Sequence, residues 1–224
     1  MTWSQENSFD KSLLAQFPPS WPNEMLVKVM SSLNYSTIPS NLNKPAKVLE
    51  VGIFSGNNAR FFLENGYKVF GSELNVEMVE LGINNLKRLG YAPPQIEIGN
   101  NLNLSASDSE YDLLVSINTV HYSSGENSDL ALKEFSRVVR QGGYAVIETP
   151  GSDHFAVRAA KRKGVLNWEW HAGGFREGQS FGFFDSREHF RESLLKHFSE
   201  VNVCRRIEEY PDVTLEFWMA VCRK

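Results

Sequence analysis

The sequence predicts an α/β fold, a doubly wound and mostly parallel seven-stranded sheet with an antiparallel closing strand. Three observations predict it. Apolar runs alternate with segments of helical period from Lys47 to Glu148. The run Tyr111–Ile117, YDLLVSI, is apolar almost throughout, as in a parallel strand covered on both faces. Two later apolar stretches are separated only by Pro211 and Asp212, a connection short enough for an antiparallel pair.

Taken in order, residues 1–44 read as a helical extension or cap. Phe17-Pro18-Pro19-Ser20-Trp21-Pro22-Asn23 makes a stiff connector, and Asn23 is placed to cap a helix carrying Leu26, Val29, Met30 and Leu33. Trp3, Phe9, Phe17 and Trp21 either pin this extension to the body or lie over a bound ligand. A domain spanning 45–224 follows, opening with Val48-Leu49-Glu50-Val51 as a buried strand, a turn at Gly52 to Gly56, and a helix with Ala59, Phe61, Phe62 and Leu63. Tyr67 to Glu73 forms a second strand, Val76 to Leu89 a helix stopped by Gly90, and Ile96 to Asn100 a third strand. After the fourth strand, Leu130 to Val139 is an amphipathic helix, and Gly142-Gly143 turns the chain into a fifth strand, Tyr144 to Glu148. Asp153 to Lys163 is expected as a short helix with a basic end, Arg158, Lys161, Arg162 and Lys163. Residues 164–184 follow neither period and are rich in glycine and aromatics, a stretch expected in a compact domain only if it is functional or disordered. A helix from Asp185 to Phe198 and strands Val201 to Glu208 and Val213 to Cys222 complete the chain.

Composition narrows the function. A net charge of −4 argues against nucleic acid held by a general basic field. No apolar run approaches the ~20 residues of a membrane span and no leader pattern is visible, so a cytoplasmic protein is expected. Cys204 and Cys222 lack metal spacing and read as structural.

Three cofactor classes use a strand, a glycine turn and a helix, and spacing separates them. Phe54 stands where a dinucleotide fingerprint needs its second glycine, and Gly56-Asn57-Asn58 lacks the lysine of a phosphate-binding loop. What remains is Glu50-x-Gly52-x-x-x-Gly56. A helix N-terminus beside a carboxylate suits a ligand carrying both a carboxylate and an ammonium. Glu73, ending the second strand, is placed to accept from a ribose diol.

With these residues the chain resembles the class I S-adenosylmethionine-dependent methyltransferases over about 45–224. The resemblance implies a Rossmann-like methyltransferase fold with S-adenosyl-L-methionine as cofactor and S-adenosyl-L-homocysteine as product. It implies that Glu50, Gly52 and Gly56 cradle the methionine part, that Glu73 binds the ribose, and that Leu74 and Met78 pack on the adenine. Gly99-Asn100-Asn101-Leu102 resembles the adenine-edge segment, with Asn100 in place of the usual acid, and Asn118 to Tyr122 the segment at the sulfonium end. The resemblance further implies a substrate-cap insertion at about 153–184.

Methyl transfer needs alignment, exclusion of water and, for an alcohol, removal of a proton. His121, His154 and His171 are the candidate bases, whereas His189 and His197 read as surface or packing residues. Trp168, Trp170, Phe175, Phe181 and Phe183 suggest an aromatic wall, as a lid hinged at Gly173-Gly174 or as a rigid cap, and the basic cluster either receives an anion or is a solvated face. The expected activity is methylation of an O or N atom of a small molecule, leaning toward a sugar or nucleotide-linked metabolite, by a monomer or homodimer. The rivals are a non-catalytic cofactor-binding module, a methyltransferase for a macromolecule, and a nicotinamide oxidoreductase.

Overall fold

The Val48–Val51 run forms the strand from which the rest of the sheet is laid out. In the computed structural model, which describes residues 18–31, 38, 42, 45–173 and 176–224, this strand is β1 (Lys47–Val51). Around it stand β2 (Lys68–Glu73), β3 (Gln95–Ile98), β4 (Tyr111–Ile117), β5 (Val139–Pro150), β9 (Glu200–Tyr210) and β10 (Val213–Arg223), in the order β3-β2-β1-β4-β5-β10-β9. All neighbours from β3 to β5 pair in parallel, while β10 is antiparallel to both β5 and β9. Strand order therefore reverses between β1 and β4. In open α/β sheets the crevice for ligands opens at such a reversal, beyond the carboxyl ends of the strands.

Alternation along each strand builds two apolar layers. Leu49, Leu114, Ala145, Ile147, Trp218 and Ala220 face α4 (Glu126–Val138) and α6 (Arg187–Leu195). Val48, Leu113, Val115, Val146, Met219 and Val221 face α1 (Glu24–Ser31), α2 (Asn57–Glu64) and α3 (Val76–Arg88). Asn23 caps α1 as expected, its Oδ1 accepting from Leu26 N at 3.0 Å. Trp3, Phe9, Phe17, Leu33, Gly174 and Phe175 lie outside the described residues.

Four expectations change. The helix α4 begins at Glu126, ahead of its first apolar repeat, because its first turn is polar and carries Glu126 and Asp129. Strand β5 begins at Val139 rather than after the glycine pair; Gly142, at φ 73°, sits where the register with β4 shifts. Of the helix expected from Asp153 to Lys163 only α5 (Phe155–Arg158) forms, and Ala160–Gly164 is instead β6, paired with β7 (Asn167–Trp170). The aperiodic stretch is thus largely a small antiparallel sheet, β6-β7-β8, with Ser180–Phe181 as β8. Its strands are too short for a periodicity window, although the alternation of Asn167-Trp168-Glu169-Trp170 carries the signal.

Backbone hydrogen bonds fasten that small sheet to the main body: Gly125 N donates to Leu166 O at 2.6 Å, and Gly182 N donates to His121 O at 2.8 Å, in the 3₁₀ turn Val120–Tyr122 that follows β4. An added Cβ on Gly182 would overlap the Ser123 carbonyl oxygen, and backbone cannot swing aside. Gly182→Ala is therefore expected to lower stability by about 2 kcal/mol, measured by urea unfolding. A cost within error would mean that the attachment yields.

Candidate functional site

The glycine turn is shaped by its neighbours in the crevice. Gly52 takes φ 74° and Gly56 φ 72°, conformations that favour glycine, and the Gly52 Cα faces the Thr119 side chain of the loop after β4. The two loops at the strand-order reversal thus meet. From the other side, Gly82 of α3 lets the helix pack against the Phe54 carbonyl, where a Cβ would stand 2.5 Å from the oxygen. Asn85 Nδ2 donates to Ser55 O at 2.7 Å and helps hold the turn.

Glu50 is buried at 2% exposure. Its Oε1 accepts from Asn58 Nδ2 at 3.0 Å, and its Oε2 has no hydrogen-bond partner among the described residues. Burial pushes the carboxyl up to about 8, opposed by the Asn58 bond. Glu73 is held differently. Its Oε2 accepts from Phe54 N at 3.1 Å and its Oε1 from Leu74 N at 2.8 Å, so the end of β2 is tied to the glycine turn. Burial raises this carboxyl as well, against its backbone hydrogen bonds. Beside it Leu74, Ile98 and Leu102 are exposed and Met78 is half-buried, an apolar shelf at the ends of β2 and β3. The family resemblance had implied Leu74 and Met78 and had placed Leu102 in the adenine-edge segment; Ile98 carried no motif.

The asparagines divide by role. Asn100 is exposed and its Oδ1 caps its own turn, accepting from Leu102 N at 2.8 Å. Asn101 ties this turn to the loop after β4 through Nδ2, which donates to Thr119 O and to Ser123 Oγ, each at 3.2 Å. Asn118, at φ 54°, donates Nδ2 to Glu148 Oε1 at 3.2 Å.

Glu148, at the end of β5, was read from the sequence only as a strand terminus. It is fully buried, and its Oε1 also accepts from Asn23 Nδ2 at 2.9 Å. Asn23 N in turn donates to Asn58 Oδ1 at 2.8 Å. The start of α1 therefore bridges the Glu50 and Glu148 carboxylates through one asparagine on each side. Burial lifts Glu148 to about 7, against the attraction of Arg206, whose Nη2 lies 3.6 Å from Oε2. The same reasoning that singled out Glu73, an acid at a strand's carboxyl end, applies to Glu148.

Beyond Asn118 opens a cavity of ≈ 350 Å³, lined by residues that include His121, His154, Trp170, Arg176, Phe181 and Phe217. His121 and His154 are 8% and 6% exposed. Burial, with Arg176 and His154 nearby, depresses His121 to about 3; burial likewise takes His154 to about 4. Both imidazoles are neutral at ordinary pH. His154 Nδ1 accepts from Ala156 N at 3.0 Å and caps α5. His171 is elsewhere, exposed between Glu169 at 2.7 Å and Glu177 at 3.3 Å and absent from the lining. Within the basic cluster, Arg158 pairs with Asp153, Arg162 with Asp185 and Lys163 with Glu169, and none of the cluster lines the cavity.

Known proteins share this fold. Residues 49–147, a little under half of the chain, match the family model described as a methyltransferase domain. That match and the sheet order above support a class I S-adenosylmethionine-dependent methyltransferase. An uncharacterized methyltransferase of Anoxybacillus flavithermus is 29% identical over 125 residues, 54% of this chain and 57% of that protein, so the chain spans little more than half the length of this curated relative. A methyltransferase of Methanosarcina mazei shares the fold at a TM-score of 0.66 and 17% identity, covering 82% of this chain and 95% of its own. So does the 1,6-didemethyltoxoflavin-N1-methyltransferase of Burkholderia thailandensis, solved with 1,6-didemethyltoxoflavin and S-adenosylhomocysteine, at a TM-score of 0.60 and 19% identity over 83% of this chain and 73% of that one.

The Glu50 carboxyl gives a direct test of the site's electrostatics. A carboxyl raised in the folded state adds stability below its unfolded value of 4.5, and that contribution is lost as pH climbs through about 8. Glu50→Gln is thus expected to gain on the native protein by about 1 kcal/mol or more between pH 5 and pH 8.5 in denaturant titrations without cofactor. A pH-independent difference would show that Glu50 titrates normally.

Proposed function

We propose that this chain transfers a methyl group from S-adenosyl-L-methionine to an oxygen or nitrogen of a small molecule. One observation carries the reading: the Glu50–Gly52–Glu73 turn lies at the strand-order reversal, where Gly52 faces Thr119, and the adjacent Asn118 lines a cavity that Trp170 and Phe181 of the small β6-β7-β8 sheet also wall.

The residues present fit the cofactor. Glu50 Oε2 has no hydrogen-bond partner among the described residues and suits an ammonium group, and Gly56, the residue before α2, provides no side-chain cap, so the helix N-terminus suits a carboxylate. Glu73 offers carboxylate oxygens to a ribose diol, and Leu74, Met78, Ile98 and Leu102 an apolar face to the adenine. Asn100 and Asn101 would stand at the adenine edge, with their amides already engaged in the protein. The cofactor, when bound, supplies a methyl carbon activated by the adjacent sulfonium.

The protein's part is alignment. With the cofactor held by Glu50, the Gly52–Gly56 turn and Glu73, the sulfonium would serve as the leaving group that keeps its electron pair, and the protein's residues would have to hold the acceptor in line and receive the proton the acceptor gives up. Imidazoles held near 3 and 4 are weak bases at neutral pH. His121 and His154 therefore orient the acceptor and take up a proton made strongly acidic by methylation, rather than ionising it beforehand. The cavity wall keeps bulk water from the reacting atoms. His171 stands apart from this role in its carboxylate pair. Arg158, Arg162 and Lys163 are engaged by acids outside the lining, so the basic cluster lends no support to a nucleotide-linked acceptor.

A cofactor-binding module without activity is separated from this reading by a labelled-methyl screen of cell metabolites, in which the module transfers nothing. Glu73→Ala is expected to weaken S-adenosylhomocysteine binding at least tenfold by calorimetry, and unchanged affinity would remove Glu73 from the ribose site.

A further inference from the structure

Resting on the transfer activity proposed above, we propose that the acceptor is a flat aromatic or heteroaromatic molecule, uncharged or anionic, that stacks within the ring-walled cavity beyond Asn118. Six rings wall that cavity: Tyr122, Phe155, Trp170, Phe181, Phe183 and Phe217. They are not oriented at random. Phe181 and Phe183 are parallel within 6° at a centroid distance of 5.2 Å, and the His121 ring lies within 26° of Phe181 and 21° of Phe183. Trp170 closes on Phe181 at 62° and Phe155 on Trp170 at 90°, edges presented around a common set of planes. Such a surface matches the face of a planar ring, with offset stacking on one side and edge contacts at the rim. A cavity of ≈ 350 Å³ is at the small end of ligand sites and takes a one- or two-ring compound.

Polarity excludes the alternatives. A sugar brings a hydroxyl on nearly every carbon, and each one buried without a partner costs about 1–3 kcal/mol. Among the described residues the polar lining consists of Asn118, His121, Tyr122, His154 and Arg176, few for a polyol, and His154 Nδ1 is already used in capping α5. A cation would be drawn to aromatic faces in general. Here the Arg176 guanidinium already lies over Tyr122 at 5.4 Å and Phe181 at 5.6 Å, with Nη2 donating to the Tyr122 hydroxyl at 2.8 Å. Those two faces are thus taken by a guanidinium, and among the described residues the lining includes no carboxylate to draw a second cation in. An anionic substituent needs no such group.

The test uses the full chain saturated with S-adenosylhomocysteine and four probes in calorimetry: 2-naphthol, 6-hydroxy-2-naphthoate, 6-(aminomethyl)-2-naphthol and methyl glucoside. The neutral and anionic naphthols are expected to bind at least tenfold more tightly than the cationic one or the glucoside. Phe155 is partly exposed, so Phe155→Leu keeps an apolar side chain at low risk to folding; it is expected to weaken 2-naphthol at least fivefold and leave S-adenosylhomocysteine affinity unchanged. The inference is overturned if the cationic naphthol or the glucoside binds as well as 2-naphthol, if no naphthol binds to the cofactor-loaded protein, or if Phe155→Leu binds like the native chain. If S-adenosylhomocysteine itself does not bind, the transfer activity falls, and this inference with it.

Discussion

Two carboxylates buried near the ends of strands, Glu50 in β1 and Glu148 in β5, constrain this molecule more than any other pair of groups. A buried acid needs hydrogen bonds or a counter-charge, or it takes up a proton. Glu50 takes one bond from Asn58, and Glu148 takes bonds from Asn23 and Asn118 and sits near Arg206. Asn23 joins the two sets through Asn58. The arrangement keeps both acids raised in pKa, to about 8 and about 7, and among the described residues leaves one oxygen of each without a hydrogen bond. A core optimised for stability alone would replace such groups with apolar ones, and their retention fits sites that bind a charged ligand.

Most of the sheet was legible because each strand from β1 to β5 is either a continuous apolar run or ends in a glycine or an acid. The proposed cofactor cradle rests on the same kind of signal: Glu50, Gly52, Gly56 and Glu73 sit at fixed places relative to strand ends. Legibility failed where side chains act across long sequence separations. Nothing local in Asn23, Asn58 or Arg206 announces that they meet Glu50 and Glu148. The cap failed for a different reason. A run such as Arg158 to Lys163 looks helical and basic by itself, and pairing of Ala160–Gly164 with Asn167–Trp170 overrides that preference.

The histidines show how burial reassigns a residue type. His121, His154 and His171 are equivalent as candidate bases on paper. Two are brought to one cavity and stripped of charge by burial, whereas the third stays at the surface between carboxylates. The environment therefore turns the first two from proton switches near neutrality into neutral, orienting rings. This places the chemical burden on geometry, consistent with walls built from Phe181, Phe183 and Trp170 rather than from flexible polar groups.

The small sheet β6-β7-β8 is contiguous in the chain, and it hangs between β5 and α6. The residues proposed as the cofactor cradle, Glu50 to Gly56 and Glu73 to Met78, all precede it. The cavity draws on three stretches: Asn118, His121 and Tyr122 before the insertion, Trp170 and Phe181 within it, and Leu215 and Phe217 in β10. Exchange of the segment after β5 would therefore replace one part of the cavity wall and leave the loop after β4 and the β10 side chains in place.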